Sequence, residues 1–171
     1  MELLKRKILM ITPYHRSQRG NSQTSARLQM FLSSRGFIID LLSLEDNDWQ
    51  EQLQHNLDSS KYALVHGFHA LHFGQVLQAI SEIRRIPLLL TTTGTDIHCD
   101  LLGAKKNIVL EAMRTVQKIV VFNEDFHKDL RTNYPEFNNK LVTIPQGVFL
   151  ETSPIKTRTE LGLSLIPDFA C

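Results

Sequence analysis

Short runs that are apolar from end to end recur along this chain, each followed by a longer amphipathic stretch. A strand with one face in water alternates apolar and polar residues, so a run with no alternation must be covered on both faces. Strands of that kind separated by helices form a parallel sheet, and right-handed crossovers then wind the chain into an open α/β sandwich. The runs predict strands over residues 7–12, 37–42, 62–66, 88–92, 118–122 and 140–144. Helices are expected over 23–35, 47–56, 105–117 and 124–132. One more is marked by Phe73, Val76, Leu77 and Ile80, the stripe of a helix lying on a sheet. The fold class expected is therefore a Rossmann-like, doubly wound parallel sheet of about six strands with helices on both faces.

The rhythm stops near the C-terminus. Pro145, Gly147, Thr152, Ser153 and Pro154 give the stretch to Lys156 the composition of a linker, and residues 157–161 suit one or two helical turns. Residues 167–171 read either as a chain cut where a new strand begins or as a frayed terminus. The expected division is one Rossmann-like domain over 1–147, with 148–171 an interdomain linker and the start of a missing C-terminal domain.

Composition removes several function classes. With 171 residues the chain has room for one well-cored domain. Nineteen Lys and Arg against 18 Asp and Glu leave a formal charge of +1, so no overall field draws it to nucleic acid. Cys99 and Cys171 form no CxxC pair, which points away from a structural disulfide and towards a reducing, cytoplasmic compartment. Residues 86–90 are too few to span a bilayer, and no apolar run of signal-peptide length follows the basic N-terminus, so no transmembrane segment is expected.

In an open parallel sheet, ligands bind beyond the carboxyl ends of the strands, so the loops after each strand are where chemistry is expected. The first loop, 13–22, is long for a βα connection and carries Arg16, Arg19 and Gly20 ahead of a helix N-terminus. That arrangement favours an anion, although Gly20 and Asn21 also suit a mobile surface turn. It matches neither GxGxxG nor a P-loop, so a dinucleotide or ATP site has no support. His66, His69 and His72 straddle a strand end, a turn and a helix start without a completing Cys, Asp or Glu, and no metal site is expected. A histidine at the strand's end is instead suited to accept a proton or hydrogen bond from a hydroxyl. After the fourth strand, Thr93-Gly94-Thr95-Asp96 lets backbone and side-chain oxygens approach a polyhydroxylated ligand, while Asp96 serves equally as a cap. Asp100 and Glu124 form no obvious acid–base pair.

Taken in order, these segments resemble the N-terminal domain of retaining GT-B glycosyltransferases of family 4, or group 1, and within it a subgroup with a Gly-Thr-Asp signature. The residues carrying the resemblance are Gly20-Asn21, Thr24 and Arg27, His69-Ala70, Thr93-Gly94-Thr95-Asp96, Lys106-Asn107, Ile144-Pro145-Gln146-Gly147-Val148 and the segment 158–163. Gln146 departs from the asparagine that the family often has. The resemblance implies an acceptor-side domain of an enzyme moving a hexosyl unit from a nucleotide sugar to an acceptor hydroxyl. It implies no metal or other cofactor, and no turnover without the second domain. It casts His69 as the catalytic contact. Gly20, Asn21, Arg27, Thr95 and Asp96 become substrate-binding residues, with Lys106, Asn107 and Gln146 as further candidates. The rival expectation is a non-catalytic, flavodoxin-like module that binds a small phosphorylated ligand or a protein partner.

Overall fold

The computed structural model describes residues 7–17 and 20–147. Six strands alternate with five helices: β1 Lys7–Thr12, α1 Gly20–Ser34, β2 Ile38–Ser43, α2 Trp49–Ser59, β3 Leu64–Phe68, α3 Ala70–Ala79, β4 Leu88–Thr91, α4 Lys106–Thr115, β5 Lys118–Val121, α5 Glu124–Asn133 and β6 Leu141–Thr143. All pair in parallel, in the order β2-β1-β3-β4-β5-β6. The expected doubly wound parallel sheet is the observed fold. The expected division at residue 148 falls outside the described residues.

The two faces are covered unequally. Leu9, Ile11, Val65, Leu88, Leu90, Ile119 and Val121 pack with Leu53 of α2, the apolar stripes of α3 and α4, and Leu130 of α5 in one continuous core. Ile8, Met10 and Phe68 point the other way, where Leu28 of α1 packs against them. The alternation along each strand fixes this split, because successive side chains leave a strand on opposite faces. Among the described residues, no helix is long and apolar enough to cross a membrane.

Local chemistry sets the element ends. The first helix starts at Gly20, three residues before the expected position, and stops at Gly36, whose φ of 88° is open to glycine without strain. Phe37 N–H bonds Leu32 O at 3.2 Å and Gly36 N–H bonds Ser33 O at 3.0 Å, the paired bonds of a Schellman ending. The polar helix runs over 49–59 and not 47–56. Three short pieces lack any apolar period and are not predicted by the sequence: 3₁₀ turns at Ser81–Arg85 and Pro135–Phe137, and a single π turn, Asp96–Asp100. At the amino ends of the strands, Asp40 takes Lys7 Nζ at 2.7 Å and the Tyr62 hydroxyl at 2.5 Å. Burial first, and Asp40 second, push the Tyr62 phenol above its usual range.

Candidate functional site

From β1 the chain turns towards β2 on one side, and the later strands β3 to β6 lie on the other. In an open sheet the crossovers on either side of such a point diverge, which makes the space between the β1 and β3 loops, at their carboxyl ends, the expected place for a ligand crevice. The loop from Pro13 to Ser17 forms one wall. Glu45, just after β2, holds that wall in place: its Oε2 accepts the backbone N–H of His15 at 2.8 Å and of Arg16 at 2.9 Å. These bonds, His15's foremost, lower the Glu45 pKa to about 2. Arg16 is committed to Asp46 at 2.8 Å, so its charge is already matched and it is not an open anion contact.

The opposite wall begins at His69. Its N–H bonds Thr91 O at 3.0 Å, continuing the sheet ladder, while its carbonyl takes the first α3 bond, from Phe73 N–H at 3.0 Å. Meeting both demands within one residue forces the backbone to φ 67° and ψ 109°, and His69 is the one non-glycine with positive φ among the described residues. Such a conformation costs on the order of 1–3 kcal/mol and persists only where its surroundings impose it. The ring is 6% exposed. Its Nε2 lies 3.0 Å from Thr95 Oγ1 and 3.8 Å from Asp100 Oδ2. Its Nδ1 is buried and makes no hydrogen bond among the described residues, and the same holds for Thr93 Oγ1 beyond the neighbouring strand.

His72, one turn into α3, lies 4.7 Å from the His69 ring, centroid to centroid. Tyr14 of the β1 loop meets His72 edge-on at 5.9 Å, closing the gap between the walls. Burial, and then the neighbouring His69, hold the His72 imidazole below the usual histidine range. His66 does not join this pair: its Nε2 is 2.7 Å from Thr91 Oγ1 and its ring stacks on Phe68. Among the described residues no group of three His, Cys, Asp or Glu is arranged to hold a metal ion.

The remaining expected contacts are dispersed. Asp96 is fully buried, with Oδ1 taking Thr93 N–H at 3.0 Å and Gly94 N–H at 2.9 Å, and Oδ2 taking Ala70 N–H at 2.8 Å. It ties the β4 loop to the start of α3 from inside, and both oxygens are taken by backbone N–H groups, so the capping alternative fits better than a ligand contact. Arg27 spends its guanidinium on Gly147 O at 2.9 Å and Gln23 O at 3.3 Å, and Gln146 bonds Thr24 Oγ1. Arg27 and Gln146 thus join α1 to the segment after β6. Gly20 is exposed at the start of α1, and the side chain of Asn21 is outside the described set. Lys106 lies 5.6 Å over the Tyr134 ring in a separate groove of about 470 Å³, walled also by His98, Leu102 and Phe126, and Asn107 is exposed beside it.

The pattern brought His69 and Thr95 to notice, and the structure joins them. It also adds Asp100, which sequence reading left unpaired, and His72, which it weighed only as a metal ligand, together with Tyr14 and Glu45, which it did not single out. The signal for Glu45 was present only as an acidic pair, Glu45-Asp46, directly after an apolar strand.

No protein-family model and no curated protein matches the chain. Solved structures similar to it include a radical S-adenosylmethionine methyltransferase, TsrM, from Kitasatospora setae. The form with tryptophan and a SAM analogue covers 53% of this chain and 20% of its own, at 17% identity and a TM-score of 0.43. The form with cobalamin and a 4Fe-4S cluster covers 78% and 25%, at 19% identity and a TM-score of 0.49. This chain therefore spans a fifth to a quarter of the length of those proteins.

The expectation of hexosyl transfer from a nucleotide sugar is corrected here: no family model or curated protein supports it, and those similar structures are of a methyltransferase. The expectation of a nucleotide-sugar donor and no cofactor falls with it, one of those structures holding cobalamin and an iron–sulfur cluster. The physical reason is visible in the loops. Thr93 to Asp96 reads as sugar chemistry but is an internal cap, and Arg16 and Arg27 are already engaged. At this identity the likeness concerns the fold, which many chemistries share, and neither methyl transfer nor those cofactors are carried over.

Proposed function

We propose that this domain binds a small hydroxyl-bearing ligand in the crevice between the β1 and β3 loops, with His69 Nδ1 accepting the hydrogen bond of a ligand hydroxyl. One observation carries the reading: a buried imidazole nitrogen that has no partner among the described residues and sits on their single strained turn. A buried acceptor left unsatisfied costs about 1–3 kcal/mol, which a ligand donor would return. Asp100 near Nε2 favours the tautomer with its proton there, leaving the Nδ1 lone pair for the ligand. The place agrees with the rule for open sheets, since it is where the crossovers diverge. The exposed, unpaired thiol of Cys99 is in keeping with a reducing, cytoplasmic setting.

Two-bond ¹H–¹⁵N correlation of the imidazoles tests this directly. His69 is expected with its proton on Nε2, and a panel of polyols and hydroxy acids is expected to include compounds that shift His69. His69→Ala should weaken their binding by roughly ten- to a hundredfold, the equivalent of one hydrogen bond to a buried group. A proton on Nδ1 in the free protein, or hydroxylated ligands that bind equally well to the Ala variant, would sink the proposal.

A further inference from the structure

Glu45 lies across the sheet edge from His69, on the far side of the β1 loop, yet a continuous set of contacts joins them. Its carboxylate receives two successive backbone N–H groups, those of His15 and Arg16, and Arg16 adds an ion pair to the adjoining Asp46. On the near side, the Thr12 hydroxyl donates to Tyr14 O at 3.0 Å, so the short segment from Thr12 to Arg16 is fastened at both ends. Tyr14 is the residue between those fastenings, and its ring is the one that meets His72, which in turn lies against His69.

From this we infer that the β1 loop is a strap across the His69 crevice, that Tyr14 is its cover, and that Glu45 is the positioning residue that keeps it shut. The inference rests on the reading of that crevice as the ligand site. A carboxylate suits the task because it takes two N–H groups on one oxygen with charge-assisted strength, whereas a neutral acceptor holds them less firmly. The low pKa of Glu45 reflects the same bonds: the charged form is the one that the strap grips. Opening exchanges two exposed hydrogen bonds and one surface ion pair for water and parts the Tyr14 ring from His72, contacts at the rim of the domain that place the strap towards the low-stability end of the molecule.

The test needs no ligand. Diethyl pyrocarbonate is reacted with the full chain, and modification of each histidine is followed by mass spectrometry beside amide hydrogen exchange over residues 14–17. Glu45→Ala should raise that exchange about tenfold, a local-opening effect, while leaving the core amides as protected as before. It should speed modification of His69 and His72 to the rate seen in Tyr14→Ala, with exposed His55 and His98 unchanged as internal references. The double variant should be no faster than either single one, and Glu45→Gln should restore much of the protection. Faster exchange at 14–17 with unchanged His69 and His72 reactivity would overturn the cover. Unchanged exchange in Glu45→Ala would overturn the anchor. If instead the tautomer and polyol measurements fail while these succeed, the ligand reading falls and the strap remains.

Discussion

His66 lies on the α1 side of the sheet, stacked on Phe68 at 4.4 Å and bonded through Nε2 to Thr91. Its surroundings offer no counter-charge, and burial alone lowers its pKa to about 4. The folded chain therefore binds the proton less readily than the unfolded chain, whose histidine titrates near 6.5. Stability is full above that value and falls with pH as it drops from about 6.5 towards 4. The loss should reach about 3 kcal/mol by the lower limit. Urea unfolding at pH 7 and at pH 4.5 should show it in the native sequence, and His66→Gln should remove most of the difference. An equal loss in both proteins would assign the effect to the carboxylates instead. Three residues on, His69 was legible from its place after an apolar strand. Its approach to Asp100 and, through His72, to Tyr14 was not, because those residues lie 31 and 55 positions away and no local spacing encodes such a meeting.

Between helices, α3 approaches α4 closely. A Cβ added at Gly74 would stand 2.7 Å from Ile108 Cγ2 and 2.8 Å from Ile108 O, the second a backbone atom that cannot turn aside. Helix propensity favours Ala over Gly by about 1 kcal/mol, and overpacking a fitted contact costs about 1–3 kcal/mol. The second term wins where backbone must move. Gly74→Ala should therefore destabilise by about 1–2 kcal/mol, read as a lower urea midpoint at unchanged slope. A higher midpoint would mean that the helices separate freely. Such a contact explains what periodicity could not supply. The stripe Phe73, Val76, Leu77, Ile80 shows which side of α3 faces inward, yet it says nothing about which neighbour requires position 74 to be bare. The π turn at Asp96–Asp100 is equally hidden, since its organising force is a buried carboxylate and not an apolar period.

Across the domain one core cluster runs without a break from Leu53 of α2 to Leu141 of β6. A single continuous core in a domain of this size should unfold as one unit. The protein has one tryptophan, Trp49, which packs against that core near the β2 edge and reports on one end of the sheet. Its fluorescence and the far-UV circular dichroism should give coincident urea transitions, whereas a split would mark β5 and β6 as an independent unit. All six strands and their parallel sense were readable from unbroken apolar runs, because burial on both faces leaves no other pattern. Their order was not, since periodicity along one strand carries no information about the strand beside it.

The divergence of the chain on either side of β1 has a consequence for redesign. The crevice there is made by the route of the backbone, so it survives the replacement of every side chain that lines it. Tyr14, His69 and Glu45 are thus separable from the space they govern. If the proposed site and strap hold, exchanging them changes what is admitted and how quickly, while the place itself is set by the winding of the sheet.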